Sequence, residues 1–352
     1  MPFDVRSFPI PATTGRHQRA VAVWLFAICA MILVMIALGG ATRLTGSGLS
    51  IMEWAPIMGA LPPLSEAEWQ RLFTLYQAIP QYSLVHEGFG LEGFKHIFWL
   101  EWTHRLWGRL LGFAFAVPLV VFAIRGWLPR GIWPRLLGLL LLGGLQGAVG
   151  WFMVASGFEA DSTAVSPDRL VVHLALALTL YAAILWMALT LYRGPATAPV
   201  NPSLRRLSGL MLALVSLTIL AGGFVAGLKA GLTYNSFPLM DGHLIPPGYA
   251  ALQPFLRNLT ENIPAVQFDH RLLATLTAGL GLFLSLRFTN VSQGAARATL
   301  LVLGAIVLAQ YALGIATLLS AVPVSLGTAH QALAVLVLTT ALVLRHTQRR
   351  AP

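Results

Sequence analysis

The feature that most constrains this chain is a series of eight apolar stretches, near residues 20–40, 97–124, 136–155, 170–192, 207–228, 268–286, 298–319 and 326–344. A hydrocarbon layer of about 30 Å takes roughly 20 residues of α-helix to cross, and each stretch is of that order. Inside lipid every backbone N–H and C=O must be satisfied within the segment, which helices achieve. The expected fold class is therefore all-α integral membrane, with eight transmembrane helices. Of the residues, 57% are hydrophobic and 10% charged. A soluble domain carries about 25% charged residues, so a soluble enzyme does not fit, and neither does a disordered chain. A cleaved signal peptide over the first run is disfavoured, because no clear small-residue cleavage site follows it.

The net charge of +10 would suggest nucleic acid in a soluble protein. Its placement says otherwise. The two tails and every second connection hold 14 basic residues, among them Arg16, Arg19, Arg135, Arg193 and Arg345, with Asp4 as their one acid. The opposite side holds the other nine basic residues and twelve of the 13 acids. Basic residues concentrate on the cytoplasmic side, so both termini are expected there. The partner implied is the lipid bilayer, not nucleic acid. The outer connections at 41–96 and 229–267 are long, so function is expected near the outer face. Within the first, 65–78 reads as an amphipathic helix with Ser65 as N-cap and Glu68 in a capping box. The single cysteine, Cys29, excludes an internal disulfide framework or multi-cysteine metal site.

An internal repeat follows. His104-Arg105 opens the second span and His270-Arg271 the sixth, 166 residues apart. Gln146 and Gln310 lie in the third and seventh spans, 164 apart, and His173 and His330 open the fourth and eighth, 157 apart. Three matches in one order predict two parallel, pseudo-symmetric four-helix bundles, residues 1–198 and 199–352. Ionisable residues inside membrane helices are costly and face the bundle interior. Two histidines on two helices of one bundle can clamp a flat metal cofactor, and imidazole is a common haem ligand. Zinc is the competing metal, but it takes tetrahedral N, O or S ligation, and bis-histidine haem fits one histidine per helix better. The reading is two haem sites near the outer face. Arg105 and Arg271 either pair with haem propionates or snorkel to the interface. Glu101 lies three residues before His104, on the same helix face, where the other half has Gln267. That asymmetry separates a reactive site from an electron-transfer site, unless the carboxylate only answers the helix dipole. His86, His96 and His243 are weaker candidates for proton relay or copper contact, with surface histidine as the plainer reading.

The loop motifs add a resemblance. Gly39-Gly-Ala-Thr-Arg43-Leu-Thr-Gly-Ser-Gly-Leu-Ser50, Trp54-Ala-Pro-Ile-Met-Gly-Ala-Leu-Pro-Pro63, Glu101-Trp-Thr-His104-Arg-Leu-Trp-Gly-Arg109, Asn235-Ser-Phe-Pro-Leu-Met-Asp-Gly242, Phe268-Asp-His-Arg271 and His330-Gln331 together resemble the haem A synthase family. The likeness is to its alphaproteobacterial and mitochondrial branch, which lacks the loop cysteine pairs of the Gram-positive branch. It covers nearly the whole chain. It implies oxidation of the C8 methyl group of haem O to a formyl group by successive hydroxylations, supplying haem A to cytochrome c oxidase. It implies that His104 and His173 hold the haem O substrate, that His270 and His330 hold haem b, and that Glu101 is the essential acid. Arg43 joins Arg105 and Arg271 as a candidate propionate or loop contact. Implied partners are haem O synthase and oxidase assembly factors, in a bacterial inner membrane with the haem sites toward the periplasm. The electron acceptor stays open, as does a homo-oligomer. The main rival is a bis-histidine dihaem cytochrome b that only transfers electrons. A prenyltransferase lacks its paired aspartates here, and a transporter lacks a midplane site.

Overall fold

A computed structural model describes residues 15–129, 131–160, 162–195 and 200–349. Asp4, Arg6, Arg130, Arg350 and the expected division at 198/199 lie outside them. The helices in chain order are α1 (Gly15–Leu44), α2 (Glu66–Gln77), α3 (Pro80–Val85), α4 (Leu91–Ile124), α5 (Trp133–Ala155), α6 (Pro167–Arg193), α7 (Pro202–Gly227), the single turn α8 (Asn258–Glu261), α9 (Ile263–Phe288), α10 (Gly294–Leu319) and α11 (Val324–Thr347). Among the described residues there is no strand, only an isolated bridge between Met240 and His243. Eight helices are long and apolar enough to cross a membrane: α1, α4, α5, α6, α7, α9, α10 and α11. The chain is an all-α integral membrane protein.

The helices start and stop where local chemistry directs. Proline opens α5, α6, α7 and α9, where its missing N–H costs nothing. Ser166 caps α6, and Asn201 caps α7 by accepting from the Leu204 N–H at 3.1 Å. Helix α4 begins at Leu91, ahead of the expected 97. Its first turns bury Phe94, Ile97 and Phe98 against Leu49, Trp69, Phe73 and Tyr76 of the connection between α1 and α4. Packing outside the bundle thus extends the helix. Ser65 caps α2 by accepting from the Glu68 N–H at 3.2 Å. The second arm of the capping box does not form as expected, because the Glu68 carboxylate instead accepts from Arg71 Nη2 at 2.8 Å and Nε at 3.0 Å.

Helix α1 packs on α4 and α6, α4 on α5, and α5 on α6. Likewise α7 packs on α9 and α11, α9 on α10, and α10 on α11. The two rings touch through α1 and α11, α6 and α7, and α6 and α11. A continuous apolar core, including Leu25, Ile28, Leu119, Leu136, Ile184, Leu204, Met211, Leu284, Leu300 and Leu338, fills one end of both rings. The four repeat-related histidines lie toward the other end. They are half-buried there, at the end that carries the two long connections.

Candidate functional site

Each histidine stands on its helix opposite a glycine of the preceding helix in its ring. A Cβ added at Gly39 of α1 would come 3.1 Å from His104 Nε2. At Gly150 of α5 it would come 2.9 Å from His173 Cε1, at Gly222 of α7 3.0 Å from His270 Cε1, and at Gly314 of α10 2.8 Å from His330 Cε1. Any larger residue would push the ring. Two glutamines hold the backbone beneath two of these rings. Gln146 Nε2 donates to the His173 carbonyl at 3.0 Å, and Gln310 Nε2 to the His330 carbonyl at 3.1 Å. Their Oε1 atoms are buried without a partner, as is His173 Nδ1. His270 Nδ1 meets the Thr218 carbonyl at 3.1 Å. His104 and His173 stand on α4 and α6 of one ring, and His270 and His330 on α9 and α11 of the other.

Glu101 is 3% exposed. Its Oε2 accepts from Ser50 Oγ at 2.7 Å and from the Ile51 N–H at 2.9 Å. Its Oε1 accepts from Arg105 Nε at 3.0 Å and Nη2 at 2.6 Å. Arg105 also donates from Nη2 to the Ile51 carbonyl at 2.5 Å and from Nη1 to the Glu53 carbonyl at 3.1 Å. The other ring repeats the clamp. Arg271 Nη2 donates to the Tyr234 carbonyl at 2.7 Å and Nη1 to the Ser236 carbonyl at 2.8 Å. The clamped loop atoms are in register, since Tyr234 and Ser236 lie 183 residues beyond Ile51 and Glu53. The centres differ. In place of the carboxylate, Gln267 accepts from Arg271 Nη2 through Oε1 at 3.2 Å and donates from Nε2 to the Ala230 carbonyl at 2.9 Å. One site therefore holds a buried carboxyl group paired with arginine and the other a neutral amide.

Both candidate arginines beside the histidines thus spend donors on loop carbonyls, although Arg271 Nε is buried and unpartnered. Arg43 donates from Nη1 to the Ala226 carbonyl of α7 at 2.9 Å and so ties the rings together. His86 meets the Tyr76 hydroxyl through Nδ1 at 2.6 Å and stacks on Phe89. Burial lowers the His86 imidazole below its usual range. Burial and the Glu101 carboxylate raise the Tyr76 phenol. His96 is exposed, and His243 sits in a tight turn with Nδ1 3.0 Å from the Asp241 carbonyl.

Sequence reasoning did not read the four glycines as site residues, although Gly150 and Gly314 close the repeated Gln146 and Gln310 motifs, and it missed the 183-residue register. Its signal was present: Gly39-Gly40 matches Gly222-Gly223. After them Gly46 and Lys229 both take left-handed backbone, φ 70° and 52°, and each leads into a short 3₁₀ turn, Ser47–Leu49 and Ala230–Leu232. Lysine there lacks the conformational ease of glycine, which hides the match.

The profile of a family described as cytochrome oxidase assembly protein matches residues 22–342. The chain is 60% identical to the haem A synthase of Granulibacter bethesdensis over 337 residues, 96% of this chain and 89% of that one. It is 51% identical to the haem A synthase of Azorhizobium caulinodans, covering 94% of each chain. It is 47% identical to that of Nitrosospira multiformis, covering 98% and 99%. The chain belongs to the haem A synthase family. The resemblance carried by the loop motifs is borne out over nearly the full length.

The residues present fit haem. Each site offers imidazoles on separate helices, each backed by a glycine whose Cβ would meet the imidazole ring. Among the described residues no three His, Cys, Asp or Glu side chains gather into a compact ion site, which leaves no nest of three or four protein ligands of the kind zinc takes. The single cysteine, Cys29, is buried in α1.

Proposed function

We propose that the chain performs the haem A synthase reaction, oxidising the C8 methyl of haem O to a formyl group, with His104 and His173 holding the substrate and His270 and His330 holding a haem b. The observation that carries this reading is the contrast between two otherwise matched clamps, with Glu101 in one and Gln267 in the other. Residues 1–198 and 199–352 then form the substrate half and the haem b half. When bound, the haem b iron supplies a one-electron acceptor and donor. The remaining work belongs to the chain.

Oxidation of a ring methyl leaves electron-poor carbon. A fixed carboxylate beside it stabilises the developing positive charge and can take a proton from attacking water. Ser50, the Ile51 N–H and Arg105 hold Glu101 in place, so the charge is preorganised. Each hydroxylation with water releases two electrons and two protons, and the second yields a geminal diol that loses water to the aldehyde. The apolar walls of the ring suit the isoprenoid tail of haem O. The distribution of basic residues supports a bacterial inner membrane with both sites toward the periplasm. Haem O synthase and oxidase assembly factors are the fitting partners. The test is a haem extract of purified protein with and without co-expressed haem O synthase. Haem O or A beside haem b supports the reading. Two haem b groups under both conditions would favour a plain electron carrier.

A further inference from the structure

The two sites approach each other through the outer end of α1. Gly39 backs the His104 ring, with its Cβ position 3.1 Å from Nε2. The next residue, Gly40, is buried and lies against Gln331 of α11, where a Cβ would come 2.9 Å from the carboxamide carbon. Gln331 Nε2 donates to the Ile36 carbonyl of α1 at 2.9 Å, one turn before Gly40. Gln331 is joined by a peptide bond to His330. A continuous chain of contacts and covalent bonds therefore runs from His104 through Gly39 and Gly40 to Gln331 and His330. Among the described residues the other side-chain hydrogen bonds between the rings, Arg43 to the Ala226 carbonyl, Tyr181 to Thr339, Thr190 and Arg193 to His346, and Arg349 to the Gly194 carbonyl, include none of the four repeat-related histidines.

We propose that the Gly39-Gly40 step is the electron bridge between the two sites, and that Gln331 is the positioning residue that closes it on the far side. This rests on the haem reading of both sites. The step is a single electron transfer. The haem that His104 and His173 would hold would give up one electron, and the haem that His270 and His330 would hold would take it, with no bond made or broken. Electron tunnelling weakens faster across gaps than through bonded or close-packed atoms. Glycine at both positions removes the gap on each face of α1, and the Gln331 hydrogen bond fixes the contact against thermal opening. Small residues at a helix crossing commonly serve close packing alone. Here one glycine meets a ligand ring and its neighbour meets the residue bonded to another ligand.

The test uses the full-length protein carrying both haems. One electron per molecule is injected by pulse radiolysis, and its redistribution between the two haems is followed by absorption. Gln331→Leu, which fills the space but cannot donate, is expected to slow redistribution by an order of magnitude. Haem content and both low-spin electron paramagnetic resonance signals should be unchanged. Gly40→Ala, which displaces the carboxamide, should act likewise and serves if Gln331→Leu loses a haem. Tyr181→Phe breaks a different contact between the rings and should leave the rate alone. Redistribution at the unmodified rate in Gln331→Leu and Gly40→Ala overturns the bridge, as does equal slowing in Tyr181→Phe. Absence of two low-spin haem signals in the unmodified protein overturns the haem reading itself, and the bridge with it.

Discussion

Glu101 and Arg105 form a two-point ion pair one turn apart on α4, with Arg105 Nε at 3.0 Å and Nη2 at 2.6 Å from Glu101 Oε1. The same arginine grips the loop carbonyls of Ile51 and Glu53. The residue that supplies the negative charge is thereby tied to the loop that roofs it.

Glu101→Gln removes the charge while keeping the shape. Haem binding should persist, and haem A formation should fall by about a hundredfold or more, the scale of losing a preorganised electrostatic group. Chromatography of extracted haems checks this. Haem A at the unmodified level would remove Glu101 from the mechanism.

The two arginine clamps should differ in stability. Arg105→Ala strands a buried carboxylate, at a cost of about 3–5 kcal/mol. Arg271→Ala strands only the neutral Gln267 amide and loop carbonyls, at about 1–3 kcal/mol. Thermal unfolding in detergent of both variants measures the order. Equal losses would mean that the Glu101 charge is not sequestered as its 3% exposure indicates.

The glycines behind the rings should be site-selective. Gly150→Val is expected to displace His173 and deplete the substrate haem alone, whereas Gly314→Val displaces His330 and depletes haem b alone. Haem type per protein, read after acid extraction, decides this. Loss of the opposite haem in either variant would contradict the pairing of ligands.

The connection between α1 and α4 should loosen in acid. The His86 pKa is lowered by burial from its ordinary 6.5, so the folded loop favours the neutral ring. Its contribution to stability is complete above about pH 6.5, where folded and unfolded forms are both neutral, and is lost as pH falls toward the lowered folded value. Limited proteolysis within 65–90 should accelerate as pH drops below that range, and His86→Gln, which cannot charge, should flatten the profile. An unmodified protein equally resistant at low and neutral pH would exclude His86 from the effect.

The spans, the capped α2 and the four histidines are legible in the amino-acid sequence. Apolar length and the Ser65 cap are local properties, and histidine in a membrane helix stands out against its surroundings. The glycines are not legible as site residues, because glycine is common in membrane helices and only the neighbouring helix gives Gly150 or Gly314 a partner. The arginines are legible as candidates for propionates or loops. The structure places donors of Arg105 and Arg271 on loop carbonyls that lie many residues away in sequence. The early start of α4 depends on aromatic residues of a different segment.

By itself the sequence determined an eight-span membrane protein of the haem A synthase family, with four histidines in a repeated order and one acid without a counterpart. These follow from composition, period and motif, each readable along one strand of chain. Tertiary structure decided what surrounds those residues: a carboxylate held by four hydrogen bonds, a glycine behind each ring, and Gly40 against Gln331 across two halves. Such relations join residues far apart in the chain, and only close packing of helices sets the distances at which they act.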